Sequence, residues 1–204
     1  NCGEGWGAYA GTRRVSPCGR IMAFDDKRIY GFRSDPLGNM LHPRTTYKLY
    51  ASDKNPAQVS LAPPAAEPKK RDRKGKVKPA KPKRSRGGGI KQLWAVQDIG
   101  LLVNAMVLGE DRLFIAGPPD LADETKMLGY LPGAKDGINR ELGDQNDAWQ
   151  GKRGGILRIV STADGAKLAE VKLDTIPVFD GMSAAEGKLF LSLKNGRVAC
   201  FGGK

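Results

Sequence analysis

Hydrophobic and polar positions recur along this chain in blocks rather than as one continuous period. Met22–Tyr30 (MAFDDKRIY), Met106–Phe114 (MVLGEDRLF) and Met182–Phe190 (MSAAEGKLF) align without gaps. Each runs from Met through a polar or Gly-containing centre to a basic residue (Arg28, Arg112, Lys188), an aliphatic one (Ile29, Leu113, Leu189) and an aromatic one. Apolar flanks around a short polar centre predict strand, tight turn, strand. A second unit alternates with the first. Ile156–Val171 (ILRIVSTADGAKLAEV) predicts two strands joined through Asp164-Gly165, a dipeptide suited to positive-φ turns. Its earlier counterpart is split: Tyr47–Lys54 (YKLYASDK) matches the outgoing strand and Lys91–Val96 (KQLWAV) the returning one.

Two hairpins in succession make a four-stranded antiparallel meander, and repeated meanders of this kind are the blades of a β-propeller. The expected fold is all-β: an irregular segment 1–16, blades at 17–97 and 98–174, and a C-terminal half blade at 175–204 that turns at Asn195-Gly196 into RVACF. That is about two and a half blades, whereas a closed ring needs roughly four to eight. The remaining blades are expected from the same polypeptide or another subunit. Two inserts, 55–89 and 118–154, stretch the repeat beyond the roughly 40 to 50 residues of simple propeller repeats. The second insert is expected to hold a short helix at Leu121–Leu128, followed by irregular polar sequence. A β-sandwich is the rival all-β architecture, and the gapless Met and aromatic match favours the propeller.

Composition adds bounds. The 204 residues (22.0 kDa) are 40% hydrophobic, enough for a core and too much for a disordered chain. The longest apolar stretch, Ile99–Gly109, is interrupted by Gly100 and Asn104 and falls short of the ~20 residues of a spanning helix, so no transmembrane segment is expected. The chain opens at Asn1 with neither a start Met nor an apolar leader, as expected of a processed product or a piece of a longer protein.

Charge is concentrated rather than spread. The net charge is +12, and the tract from Lys69 to Arg86 holds eleven basic residues against one acid, Asp72, a local +10 that leaves +2 for everything else. Its cations are Lys69, Lys70, Arg71, Arg73, Lys74, Lys76, Lys78, Lys81, Lys83, Arg84 and Arg86. Flanked by Ala/Pro-rich sequence and by Gly87–Gly89, it is expected to be a mobile insert in a hairpin tip. Lengthening such a tip costs only ~0.6 kcal/mol per doubling, which a fold tolerates. A tract like this can grip nucleic acid or an anionic surface by releasing counterions. No aromatic residue that would stack on bases lies between Tyr50 and Trp94, so a solvated surface insert is the favoured reading.

Residues able to do chemistry are sparse. His42 is the only histidine, which excludes a multi-His metal site, and no G-x-S-x-G elbow, C-x-x-C-H or phosphate-loop signature occurs. The three cysteines, Cys2, Cys18 and Cys200, leave at least one thiol unpaired. Cys2 with Cys18 is the plausible intrachain disulfide, three free thiols being the open alternative, and Cys200 is expected as a small core residue of the last strand. Trp94 is expected to pack between sheets. Trp149, in a polar insert, is the candidate aromatic anchor for a partner.

The segments Gly19–Phe32, Asn104–Asp120, Gly154–Asp174 and Pro177–Lys204, about 80 residues together, resemble bacterial pyrroloquinoline-quinone-like (outer-membrane-assembly-lipoprotein-like) β-propeller repeat proteins. The resemblance implies an exported protein, periplasmic or extracellular, whose propeller is a docking platform for other subunits. Quinoproteins of this fold resemble one another in a vicinal Cys pair, a Trp platform and a calcium cage. No Cys-Cys dipeptide or spaced acidic run stands here, so no cofactor is expected. The expected function is a non-enzymatic scaffold. The alternatives are the closing blades of a redox or hydrolytic enzyme whose active site lies upstream, and polyanion binding through residues 69–86.

Overall fold

The structure is a computed structural model that describes residues 19–34, 47–54, 91–122 and 136–202. Its strands follow the apolar blocks: β1 (Ile21–Phe24), β2 (Arg28–Ser34), β3 (Tyr47–Asp53), β4 (Gln92–Gln97), β5 (Ala105–Leu108), β6 (Arg112–Gly117), β7 (Gly155–Ser161), β8 (Lys167–Leu173), β9 (Pro177–Ala185), β10 (Lys188–Leu193) and β11 (Val198–Gly202). Among the described residues one helix, α1 (Asp136–Trp149), lies between β6 and β7. The strands pair in sequence order into three antiparallel sheets, β1-β2-β3-β4, β5-β6-β7-β8 and β9-β10-β11. The all-β expectation holds.

The gapless repeat has a register behind it. Met22 pairs with Gly31, Met106 with Ile115 and Met182 with Leu191, so each Met faces the residue nine positions on. Side chains alternate across a strand, which puts Met and the following aromatic on opposite faces. Met106 and Tyr30 belong to the core between the first and second sheets. Met182 and Phe114 belong to the core between the second and third. Met therefore points back toward the preceding sheet and the aromatic forward toward the next. Met22 is 46% exposed where Met106 is 5% exposed, because no described sheet precedes the first one.

The two cores are built on strand alternation. Phe32, Leu49, Ala51, Leu113, Ile115 and Val160 fill the first, and Ala105, Ala116, Leu157, Leu189 and Leu191 the second. β1 runs beside β5, and β5 beside β9, so the first strands of successive sheets are neighbours. Turn chemistry agrees with the sequence. Gly165 and Gly196 have φ of 77° and 81°, and Asp164 and Asn195 each accept a backbone N–H two residues on. The split hairpin also forms: β3 pairs with β4, and the Asp53 N–H donates to the Lys91 carbonyl (2.8 Å), pinching the base of the connection that carries the basic tract.

Two expectations are corrected. A helix stands at Asp136–Trp149, in sequence expected to be irregular; the helix expected at Leu121–Leu128 lies, from residue 123 on, outside the described residues. Helix α1 docks through its last turns, where Ala148 is fully buried, Trp149 packs against the first core and a polar side chain bonds the neighbouring loop. Buried Gln145 accepts the Leu121 and Ala122 N–H groups (2.7 and 3.1 Å) and donates to the Pro119 carbonyl (3.2 Å). Cys200 is exposed, not core, because Ala199 and Phe201 take the inward positions of β11.

Candidate interaction site

An up-and-down meander sends its connections alternately to two ends. The β4–β5, β6–β7, β8–β9 and β10–β11 connections, and α1 with them, lie at one end. The β1–β2, β5–β6, β7–β8 and β9–β10 turns and the pinched base of the basic tract lie at the other. Cross-sheet hydrogen bonds agree: Arg28 and the Trp94 indole both donate to the Thr162 carbonyl (3.1 and 2.9 Å) at the turn end, and the Asp180 N–H donates to the Asn104 carbonyl (2.8 Å) at the helix end.

At the helix end the starts of β1, β5 and β9 converge with the last residue of α1. Arg20 is fixed by its backbone N–H, which donates to the Phe32 carbonyl (2.8 Å). Its guanidinium lies 4.8 Å from the centre of the Trp149 ring and 5.7 Å from that of Phe179. Such contacts hold a cation in place by attraction to the ring faces. Trp149 is half-buried against the first core, and its carbonyl accepts from Lys194 Nζ (3.3 Å). Phe179 is 59% exposed. Asn104, just before β5, is only 6% exposed, and its Oδ1 is buried without a partner. Asp180, next to Phe179 in sequence, is in the left-handed region at φ 55°.

A cleft of about 320 Å³ runs between the outer strands of the first two sheets, lined by Leu49, Val96, Asp98, Ile99, Arg158, Val160, Gly165 and Lys167. Arg158 is spoken for: Nε and Nη2 reach Glu170 (2.8 and 2.7 Å), and Nη1 donates to the Ile99 carbonyl. The hydrogen bond from Arg158, with its charge and that of Lys167, holds the Glu170 carboxyl below its ordinary 4.5 despite partial burial. A depressed folded-state pKa stabilises above the unfolded value and is lost as pH falls through the folded one. Glu170→Gln should therefore be less stable than the parent at pH 7. Urea melts taken at successively lower pH should show that gap closing below about 4.5. A gap that stays constant with pH would assign the loss to shape rather than charge.

Trp94 packs between sheets as expected, with an indole hydrogen bond added. Trp149, expected as an exposed anchor, is half-buried, while Phe179, which no local pattern marks, presents the open aromatic face. Cys2, Cys18 and the tract Lys69–Arg86 lie outside the described residues. Among the described residues no three His, Cys, Asp or Glu side chains group as metal ligands, and no helix is long and apolar enough to cross a membrane. No family model matches the chain, and no curated protein is similar to it.

Proposed function

We propose that the chain forms consecutive blades of a β-propeller and serves as a non-enzymatic interaction platform within a larger exported, periplasmic or extracellular, assembly. The observation that carries this is the repeated register: three meanders in series, each with Met facing back and an aromatic facing forward, their first strands side by side. Exposed positions support the need for further sheets. Phe24 and Val198 are 69% and 64% exposed on the first and last sheets. The third sheet has one strand fewer than the others. The Leu193 N–H donates to the Arg197 carbonyl, and hydrogen-bonded pairs alternate along an antiparallel ladder, so the outer edge of β11 offers the backbone groups of Val198, Cys200 and Gly202. An edge of this kind is a template for another strand. Negative-stain images of the intact gene product should show a ring of four to eight lobes, these three sheets being adjacent sectors. A two-layer sandwich in those images would overturn the proposal.

One observation favours a second activity beside it. Ten of the twelve net positive charges fall within 69–86, which supports polyanion binding through that tract.

A further inference from the structure

The geometry points to a carboxylate-binding site at the helix end, made by Arg20, Trp149 and Phe179, that takes an acidic segment of a protein partner. This deepens the platform reading by naming a partner chemistry, and it rests on contacts within this chain. The Arg20 guanidinium is held against two rings, yet none of its N–H groups finds an acceptor among the described residues, in contrast to Arg158, Arg28 and Arg153, which bond Glu170, Thr162 and Asp144. A planar fork of free donors, fixed in orientation, suits the two oxygens of a carboxylate.

One further feature narrows the ligand. Phe179 and Val178, both exposed, offer apolar surface to a side chain next to the anion. An anion with an apolar neighbour is supplied by an Asp or Glu beside an apolar residue in a peptide.

The test is titration of the ¹⁵N-labelled full chain, following the Arg20 Nε–H resonance, which is assigned by its loss in Arg20→Gln. The probes are acetyl-Phe-Glu-Phe-amide, acetate and inorganic phosphate, at roughly 0.15 M salt, where the ~8 Å screening length damps the pull of the basic tract. The peptide should shift the resonance saturably, with acetate and phosphate at least tenfold weaker. Phe179→Ala, a change at an exposed position, should weaken the peptide roughly two- to fivefold. An unmoved resonance, phosphate or acetate binding as tightly as the peptide, or indifference to Phe179→Ala overturns the site. A ring-shaped gene product with an unmoved Arg20 resonance removes this site alone. A saturable Arg20 shift in a protein that is not a ring removes the platform reading alone.

Discussion

Gly117→Ala is expected to unfold the protein or leave it on the order of 3–5 kcal/mol less stable, a loss reserved for substitutions with a specific structural cause. A Cβ at Gly117 would lie 1.9 Å from the Leu102 carbonyl oxygen, 2.8 Å from its carbon and 3.1 Å from the Asn104 nitrogen. These are backbone atoms, and they cannot retreat cheaply. The Leu102 N–H donates to the Pro118 carbonyl (2.9 Å) and the Asn104 N–H to the Ala116 carbonyl (2.8 Å), so the strand-like run 100–104 is bonded on both sides of the glycine. Val103 and Leu102 are buried, and any shift is transmitted into the first core. The same substitution at Gly143, inside α1 with nothing within 4 Å, should instead stabilise by up to about 1 kcal/mol, the helix preference for Ala. Urea unfolding of the two variants beside the parent is the measurement. A Gly117→Ala protein within 1 kcal/mol of the parent would mean that the 102–104 crossing is looser than described.

Local sequence carries as much of this fold as local forces decide. The three Met blocks specify hairpins because their turn residues and alternation fix one register, and all three adopt it. Asp164-Gly165 and Asn195-Gly196 are legible because the positive φ and the side-chain cap are properties of adjacent residues. Helix α1 is hard to read because its apolar residues, Ile138, Leu142, Ala148 and Trp149, are few among polar ones, and part of its anchor is Gln145 bonding loop backbone. Cys200 was misplaced for a related reason: in RVACF either parity puts apolar residues inward, and only the pairing of Ala199 with Leu191 selects Ala199 and Phe201. The candidate site was beyond reach. Arg20, Trp149 and Phe179 come from three separate stretches of the chain, and their convergence depends on how the sheets stack, which no window of sequence reports.

Deleting 69–86 should abolish binding to duplex DNA while leaving the fold intact and slightly more stable. The deletion removes +10 of a net +12, and what remains is too weakly charged to hold a polyanion. If six or more of the eleven cations meet phosphates, the affinity of the full chain should fall about 10³-fold or more between 50 and 200 mM salt, since each neutralised phosphate releases counterions. The turn end cannot compensate. Lys27, Arg28, Lys54, Arg112 and Lys167 stand there among Asp25, Asp26, Glu110, Asp111 and Asp164, a rim without surplus charge. Stability should rise by about 0.6 kcal/mol, because the deletion nearly halves the β3–β4 connection and each halving recovers that much closure entropy. The pinched base, Asp53 N–H to Lys91 carbonyl, lies outside the deletion and keeps β3 and β4 in register. Fluorescence anisotropy with a labelled duplex at several salt concentrations, with a thermal melt of both proteins, decides the matter. Equal binding by the two would move the polyanion contact off the tract. A melting loss in the deletion would show the tract to be part of the folded body. The Arg20 site belongs to the opposite end of the sheets, so its response to the acidic peptide should survive the deletion unchanged.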